Sequence, residues 1–139
     1  MRLRAALPAL AVAVLLTAPA AALPMQTLAA APGAWLTTYA TPVLAVTPGD
    51  PLTFTNGDIM RHDVVSTATG PDDSLWCDRY PDGACPLFWS RLIGLGESTA
   101  VLGLAGLEGG QTYDFYCTIH DGMTGVLVAL PTPSPPQES

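Results

Sequence analysis

Tyr116-Cys117-Thr118-Ile119-His120-Asp121-Gly122-Met123-Thr124-Gly125 carries a thiol, an imidazole and a thioether at positions n, n+3 and n+6. The run leading into it, Thr112-Tyr113-Asp114-Phe115-Tyr116-Cys117, alternates apolar and polar residues as a half-buried strand does. The run leaving it, residues 125–130, is apolar and closes the domain, so the reactive side chains fall at the end of a strand. The same short signals recur toward the N-terminus. Leu52-Thr53-Phe54-Thr55-Asn56 alternates, and residues 42–46 run into Thr47-Pro48-Gly49-Asp50, a turn whose proline and glycine set the dihedrals. Residues 34–39 and 62–67 are rich in strand formers, residues 98–104 read as a further strand, and Glu108-Gly109-Gly110-Gln111 reads as a turn. No stretch keeps a helical period over eleven or more residues. Strands punctuated by turns, with no internal repeat, predict an all-β chain: an antiparallel Greek-key β-sandwich of about seven to eight strands.

The ends read differently. Met1-Arg2-Leu3-Arg4, an apolar run over 5–16 and the small-residue stretch 17–22 are the three parts of a secretory signal, with cleavage after Ala22 or Ala20. The rival reading, an uncleaved membrane anchor, is disfavoured by Pro8, Pro19 and the small-residue end. No later segment approaches the roughly 20 apolar residues of a spanning helix. Residues 131–139 hold four prolines and no periodicity, as an extended tail does. The expected organisation is a leader over 1–22, a domain over 23–130 with its strands from about residue 33, and a Pro-rich tail over 131–139. An exported protein, periplasmic or at the cell surface, follows.

The 139 residues carry a formal net charge of −7, and the five cations are all arginines, at 2, 4, 61, 79 and 91. Loss of the leader removes two of them and leaves three against twelve acidic side chains, a net −9. Nucleic-acid binding, which needs a cationic footprint, is excluded. An acidic surface instead suits solubility and a basic partner. Mean hydropathy is +0.34, much of it from the first stretch.

The whole chain contains two histidines and three cysteines. One histidine, in Arg61-His62-Asp63-Val64, lies 55 residues before Cys117; the other is His120. Singly, each residue has an ordinary reading: a turn histidine, an inert buried thiol, a methionine filling the core. Together, two imidazoles, one thiolate and a weak thioether form the donor set of a mononuclear blue-copper electron-transfer site. Soft sulfur suits Cu(I) and imidazole nitrogen is accepted by Cu(II), so one ligand set serves both states with little rearrangement.

From Pro42 to Leu130 the chain resembles a small cupredoxin of the plastocyanin, pseudoazurin and amicyanin type. The matching pieces are Val46-Thr47-Pro48-Gly49-Asp50 leading to Phe54-Thr55-Asn56, then His62-Asp63-Val64-Val65, Gly96-Glu97-Ser98 and the segment 112–125. The short Cys-to-His and His-to-Met gaps are most similar to amicyanin. The resemblance implies one type 1 copper per chain, with His62, Cys117 and His120 as equatorial ligands and Met123 as the axial one. It also implies that the edge of His120 nears the surface. Proteins of this type commonly have Asn after the first histidine, bonded to a hydroxyl beside the cysteine; here the pair is Asp63 and Thr118.

Cys77 and Cys85 remain, and an even number outside the metal site of an exported chain reads most simply as a disulfide. Closing a loop of about nine residues is worth on the order of 2–3 kcal/mol. Asp72, Asp73, Asp78 and Asp82 fall in the loop-like stretch 70–96 and read as solvated, with a docking patch or calcium ligands as the alternatives. Met60 reads as packing, and Tyr116, beside Cys117, as a second exit route for an electron.

Multicopper and binuclear copper centres need histidines and cysteines that this chain lacks, and a hydrolytic zinc site would give the thiol no role. No residue orients Cys117 and His120 as a nucleophilic pair. The expectation is a non-enzymatic, monomeric one-electron carrier with redox partner proteins bearing a basic docking surface. The alternatives are a copper-handling chaperone or storage protein using the same ligands, and a metal-free adhesion domain.

Overall fold

The structure is a computed structural model, and it describes residues 25–71, 77 and 85–132. The expected leader, the proline tail from 133 and the acidic residues Asp72, Asp73, Asp78 and Asp82 lie outside the described residues. Seven strands are present among those described: β1 (Gln26–Ala30), β2 (Val43–Val46), β3 (Leu52–Asn56), β4 (Val65–Ser66), β5 (Ser98–Ala100), β6 (Thr112–Tyr116) and β7 (Thr124–Ala129). They form two sheets, ordered β1-β3-β5 and β2-β7-β6-β4. No helix is long and apolar enough to cross a membrane among the described residues.

The sandwich and strand number match the sequence reading, but the pairing is mixed rather than antiparallel. β1 runs parallel to β3, in the register Gln26 to Leu52, and β2 runs parallel to β7, Val43 to Val126. A parallel pair requires a crossover of a dozen or more residues. Between β1 and β3 the chain makes that crossover by passing through β2 in the other sheet. Two further differences concern single segments. The domain's strands begin at Gln26, not near residue 33, because an alanine-rich strand continues directly from the leader-like run. Residues 34–36 form a 3₁₀ turn rather than a strand, since Gly33 at φ 82° reverses the chain and Leu36 donates its N–H to the Gly33 carbonyl.

The core follows from alternation. Leu52, Phe54 and Asn56 of β3 are buried between half-exposed threonines, and Gly125, Leu127 and Ala129 of β7 alternate in the same way. Phe115 of β6 packs edge-on against Tyr39, their ring centroids 4.9 Å apart, and against Phe88 at 6.4 Å. Its cross-strand partner is Gly125, where any Cβ would come within 2.3 Å of the Phe115 ring. That close approach requires glycine at the point where the Cys117–Met123 loop rejoins the sheet.

The stretch read as a long loop is tied down over its described C-terminal part. Residues 86–93 make isolated bridges, Thr69 to Pro86, Val65 to Trp89 and His62 to Ile93, and they bury Phe88 and Ile93. Cys77 and Cys85 are paired, with Cα atoms 4.5 Å apart.

Candidate metal centre

His62, Cys117 and His120 converge at one end of the sandwich, from two separate parts of the chain. His62 precedes β4 and is clamped by its backbone: its N–H donates to the Ile93 carbonyl at 3.0 Å, and Ile93 donates back at 2.9 Å. Cys117 is the first residue past β6, where the strand gives way to a short loop. That loop closes on itself. Met123 donates its N–H to the His120 carbonyl at 3.2 Å, and Cys117 donates to the Met123 carbonyl at 3.0 Å. The turn His120-Asp121-Gly122-Met123 has its glycine at φ 84°, in the left-handed region that a side chain rarely adopts. The n, n+3, n+6 spacing is therefore the spacing of one turn hung between two strands.

The donor atoms of His62, Cys117 and His120 all lie within 4.8 Å of one another. Cys117 Sγ is 3.7 Å from His62 Nδ1 and 3.5 Å from His120 Nδ1. A first-row ion in a trigonal set, with metal–sulfur and metal–nitrogen bonds of about 2.3 and 2.0 Å, holds sulfur and nitrogen roughly 3.7 Å apart. The spacing and the soft character of the set fit copper. Met123 is buried, 1% exposed, with its backbone hydrogen-bonded to both Cys117 and His120. His62 and Cys117 are buried as well, whereas His120 is only partly covered.

Burial pushes the Cys117 thiol up to about 11; N–H groups of Asp63 and Ile119 pull it down, and the charge of Asp63 adds to the rise. Burial, and then the neighbouring His62, lower His120 below the usual histidine range, so its nitrogen is free of a proton at neutral pH. Asp63 makes the predicted contact with Thr118, accepting its N–H at 2.7 Å and its hydroxyl at 2.5 Å. The buried Tyr39 hydroxyl donates to the Asp63 carbonyl, and burial holds that hydroxyl protonated far above the ordinary tyrosine range.

Asp58 is the site residue that sequence reading missed. Its carboxylate, buried at 1% exposure, lies 2.8 Å from His62 Nε2. Burial opposes its ionisation, but hydrogen bonds from His62, Gly33, Trp35 and Ile59 outweigh that and lower its pKa to about 2. Asn56 supports the arrangement, accepting the Asp58 N–H and donating to the Met60 and Ile93 carbonyls. The available signal was an acid four residues before a histidine, a weak pattern without the fold. Met60 departs from its expected packing role, since its side chain is 42% exposed.

A seven-stranded sandwich with a thiol and two imidazoles gathered at one end defines a cupredoxin-type copper protein. The chain belongs to the plastocyanin/azurin family of copper-binding proteins, whose family model matches residues 26–129. Family and site together make it a copper electron-transfer protein, with copper as its cofactor. It is similar in structure to a proline-to-glycine mutant of amicyanin in its reduced Cu(I) form, at 25% identity and TM-score 0.52, over 78% of this chain and 84% of that one. It also shares its fold with a purple cupredoxin from Nitrosopumilus maritimus, at 20% identity and TM-score 0.54, over 75% and 98% of the two chains. Auracyanin from Roseiflexus castenholzii matches at 21% identity and TM-score 0.55, over 77% and 97%. No curated protein sequence matches the chain.

Proposed function

We propose that this is an exported one-electron carrier whose copper would be held by His62, Cys117, His120 and Met123. The observation that carries the reading is the pair of sulfur–nitrogen distances, 3.7 and 3.5 Å, from one buried thiol to two imidazole Nδ1 atoms. Copper, when bound, supplies the Cu(II)/Cu(I) couple that takes one electron from a donor protein and passes it to an acceptor. The chain's own residues do the rest. Buried His62, Cys117 and Met123 keep water from the donors, and the backbone clamps on His62 and the ligand turn hold their positions through the redox cycle.

Partly covered His120 is the exchange edge of this proposal. Ile119, 51% exposed beside it, offers an apolar contact for a transient redox encounter. Met123 is buried and takes no part in that contact. The acidic surface steers a basic partner toward this end. Residues 1–22 act as the leader, 131–139 as a tail, and the domain works as a monomer in the periplasm or at the cell surface. There the Cys77–Cys85 pair stays oxidised. No substrate chemistry is assigned to it.

Visible and EPR spectra of the domain after Cu(II) addition test the reading. An intense blue charge-transfer band with narrow copper hyperfine splitting is expected. A pale sample with ordinary Cu(II) splitting would remove Cys117 from the ligand set and with it the electron-carrier assignment.

A further inference from the structure

Asp58 offers two carboxylate oxygens, and each accepts from two donors. Oδ1 accepts the N–H groups of Gly33 at 3.2 Å and Ile59 at 2.8 Å. Oδ2 accepts the Trp35 N–H at 3.5 Å and faces His62 Nε2 at 2.8 Å. The carboxylate therefore joins the fully buried imidazole to the surface turn that carries Trp35 and Leu36. The other three contacts of the carboxylate are all backbone N–H donors, so it acts as an acceptor throughout and takes the Nε2 proton as a fourth hydrogen bond. That leaves Nδ1, the atom facing Cys117, as the lone pair available to a metal. No comparable acceptor lies on His120 among the hydrogen bonds of the described residues, so the two imidazoles are not equivalent donors.

We propose that Asp58 is a positioning residue of the copper site: it fixes His62 as an Nδ1 donor, strengthens that donor toward Cu(II), and anchors it to the Gly33–Leu36 turn. The physical basis is general. A carboxylate hydrogen-bonded to the far nitrogen of a metal-bound imidazole raises its basicity and locks its ring, and losing such a partner typically costs about 10–100-fold in metal affinity. Because the carboxylate is negative, it favours the more highly charged oxidation state. Asp58 thus holds the potential down from a point outside the ligand loop. The inference rests on the proposed ligand set, and its test separates the two.

In the copper-loaded protein, Asp58→Asn should keep a blue band while weakening Cu(II) about tenfold more than Cu(I). For a one-electron couple that raises the potential by about 59 mV. The exposed acid Glu108, which precedes β6 at the end opposite Cys117, serves as a charge control, and Glu108→Gln should leave the potential in place. A blue Asp58→Asn protein with unchanged potential, or an equal shift in Glu108→Gln, would overturn the role of Asp58 and leave the ligand set standing. A wild-type protein without the blue band would bring down the ligand set and this inference with it.

An amide in place of Asp58 turns an N–H₂ toward donors that need an acceptor. Should that variant fail to fold, the wild-type protein loaded with Cu(I) or Zn(II) supplies the answer by nitrogen-15 NMR. A slowly exchanging His62 Nε2–H with metal on Nδ1 supports the proposal. Rapid exchange of that proton, or metal on Nε2, overturns it.

Discussion

His62 and His120 present the same imidazole Nδ1 to the same sulfur, at 3.7 and 3.5 Å, yet the surroundings of the two rings share almost nothing. His62 is 0% exposed, bridged through its backbone to Ile93 and through its ring to Asp58. His120 sits in a four-residue turn with an exposed aspartate and glycine after it, and its ring is partly open. One histidine is built into the wall of the sandwich; the other hangs from a strand end. The contrast divides the work of an electron-transfer site. In the proposed carrier a fixed anchor would keep the coordination geometry from changing with oxidation state, while the thin covering over the second ring would let a partner approach.

Removing each ring in turn should break the comparison most visibly. His120→Gly should lose its blue spectrum and regain it with added imidazole, because the vacated space opens to solvent. His62→Gly should lose the spectrum with no recovery. Its space is closed, and Asp58 Oδ2 would lose its shortest contact and keep only the Trp35 N–H at 3.5 Å. Recovery in both variants would mean that the wall around His62 is as open as the turn, and spectra recorded across an imidazole titration decide it.

The next effect concerns how copper enters. With its thiol raised to about 11, Cys117 is protonated in the metal-free protein at neutral pH, and ligation must release that proton. His120, lowered below the ordinary histidine range, contributes none there. Copper affinity should therefore rise about tenfold per pH unit between 7 and 9, one proton per metal. Calorimetry in buffers of different ionisation enthalpy counts that proton. The stability of the metal-free protein runs the other way. A thiol raised in the folded state stabilises the fold below its unfolded pKa near 9, and that contribution is lost as pH rises toward 11. Denaturation midpoints that stay flat from pH 8 to 11 would show that the thiol is not held in its protonated form.

How much of this was legible follows the same division. The ligand loop could be read directly, because a thiol, an imidazole and a thioether confined to one turn are local in sequence. His62 could be found by elimination, there being one other histidine. Asp63 with Thr118 could be anticipated only because each residue adjoins a ligand. Asp58 could not be seen, since its meaning comes from a side-chain contact and from Gly33 and Trp35, which are 25 and 23 residues away. The same holds for the strands. β3 and β6 alternate and were plain, whereas Gln26–Ala30 lacks β-branched and aromatic side chains apart from Thr27 and merges with the run before it. Its parallel pairing to β3 is a property of the path through the other sheet, which no local pattern records.

On the turn side, Gly122→Ala should cost about 1–2 kcal/mol, the penalty of a left-handed conformation for a side chain. Gly122 has open space around it, so no clash adds to that figure. The damage should fall on His120 and Met123, broadening the copper EPR lines, while the His62 Nε2–H resonance stays in place. A variant in which that resonance moves as well would show that turn and wall behave as one unit.

The smallest effect separates charge from contact. Asp63→Asn can keep both bonds to Thr118, with the amide oxygen accepting the N–H and the amide nitrogen donating to the hydroxyl. The same change at Asp58 cannot, because all four of its partners are donors. The carboxylate of Asp63 also meets Thr118 rather than an imidazole. Asp63→Asn should thus raise the potential by less than Asp58→Asn, corresponding to under about tenfold in relative Cu(I) and Cu(II) affinity, or under about 59 mV. Voltammetry on the two variants side by side measures the gap. Equal shifts would mean that both carboxylates act as bare charges near the metal, and the hydrogen bond to His62 would lose its special place.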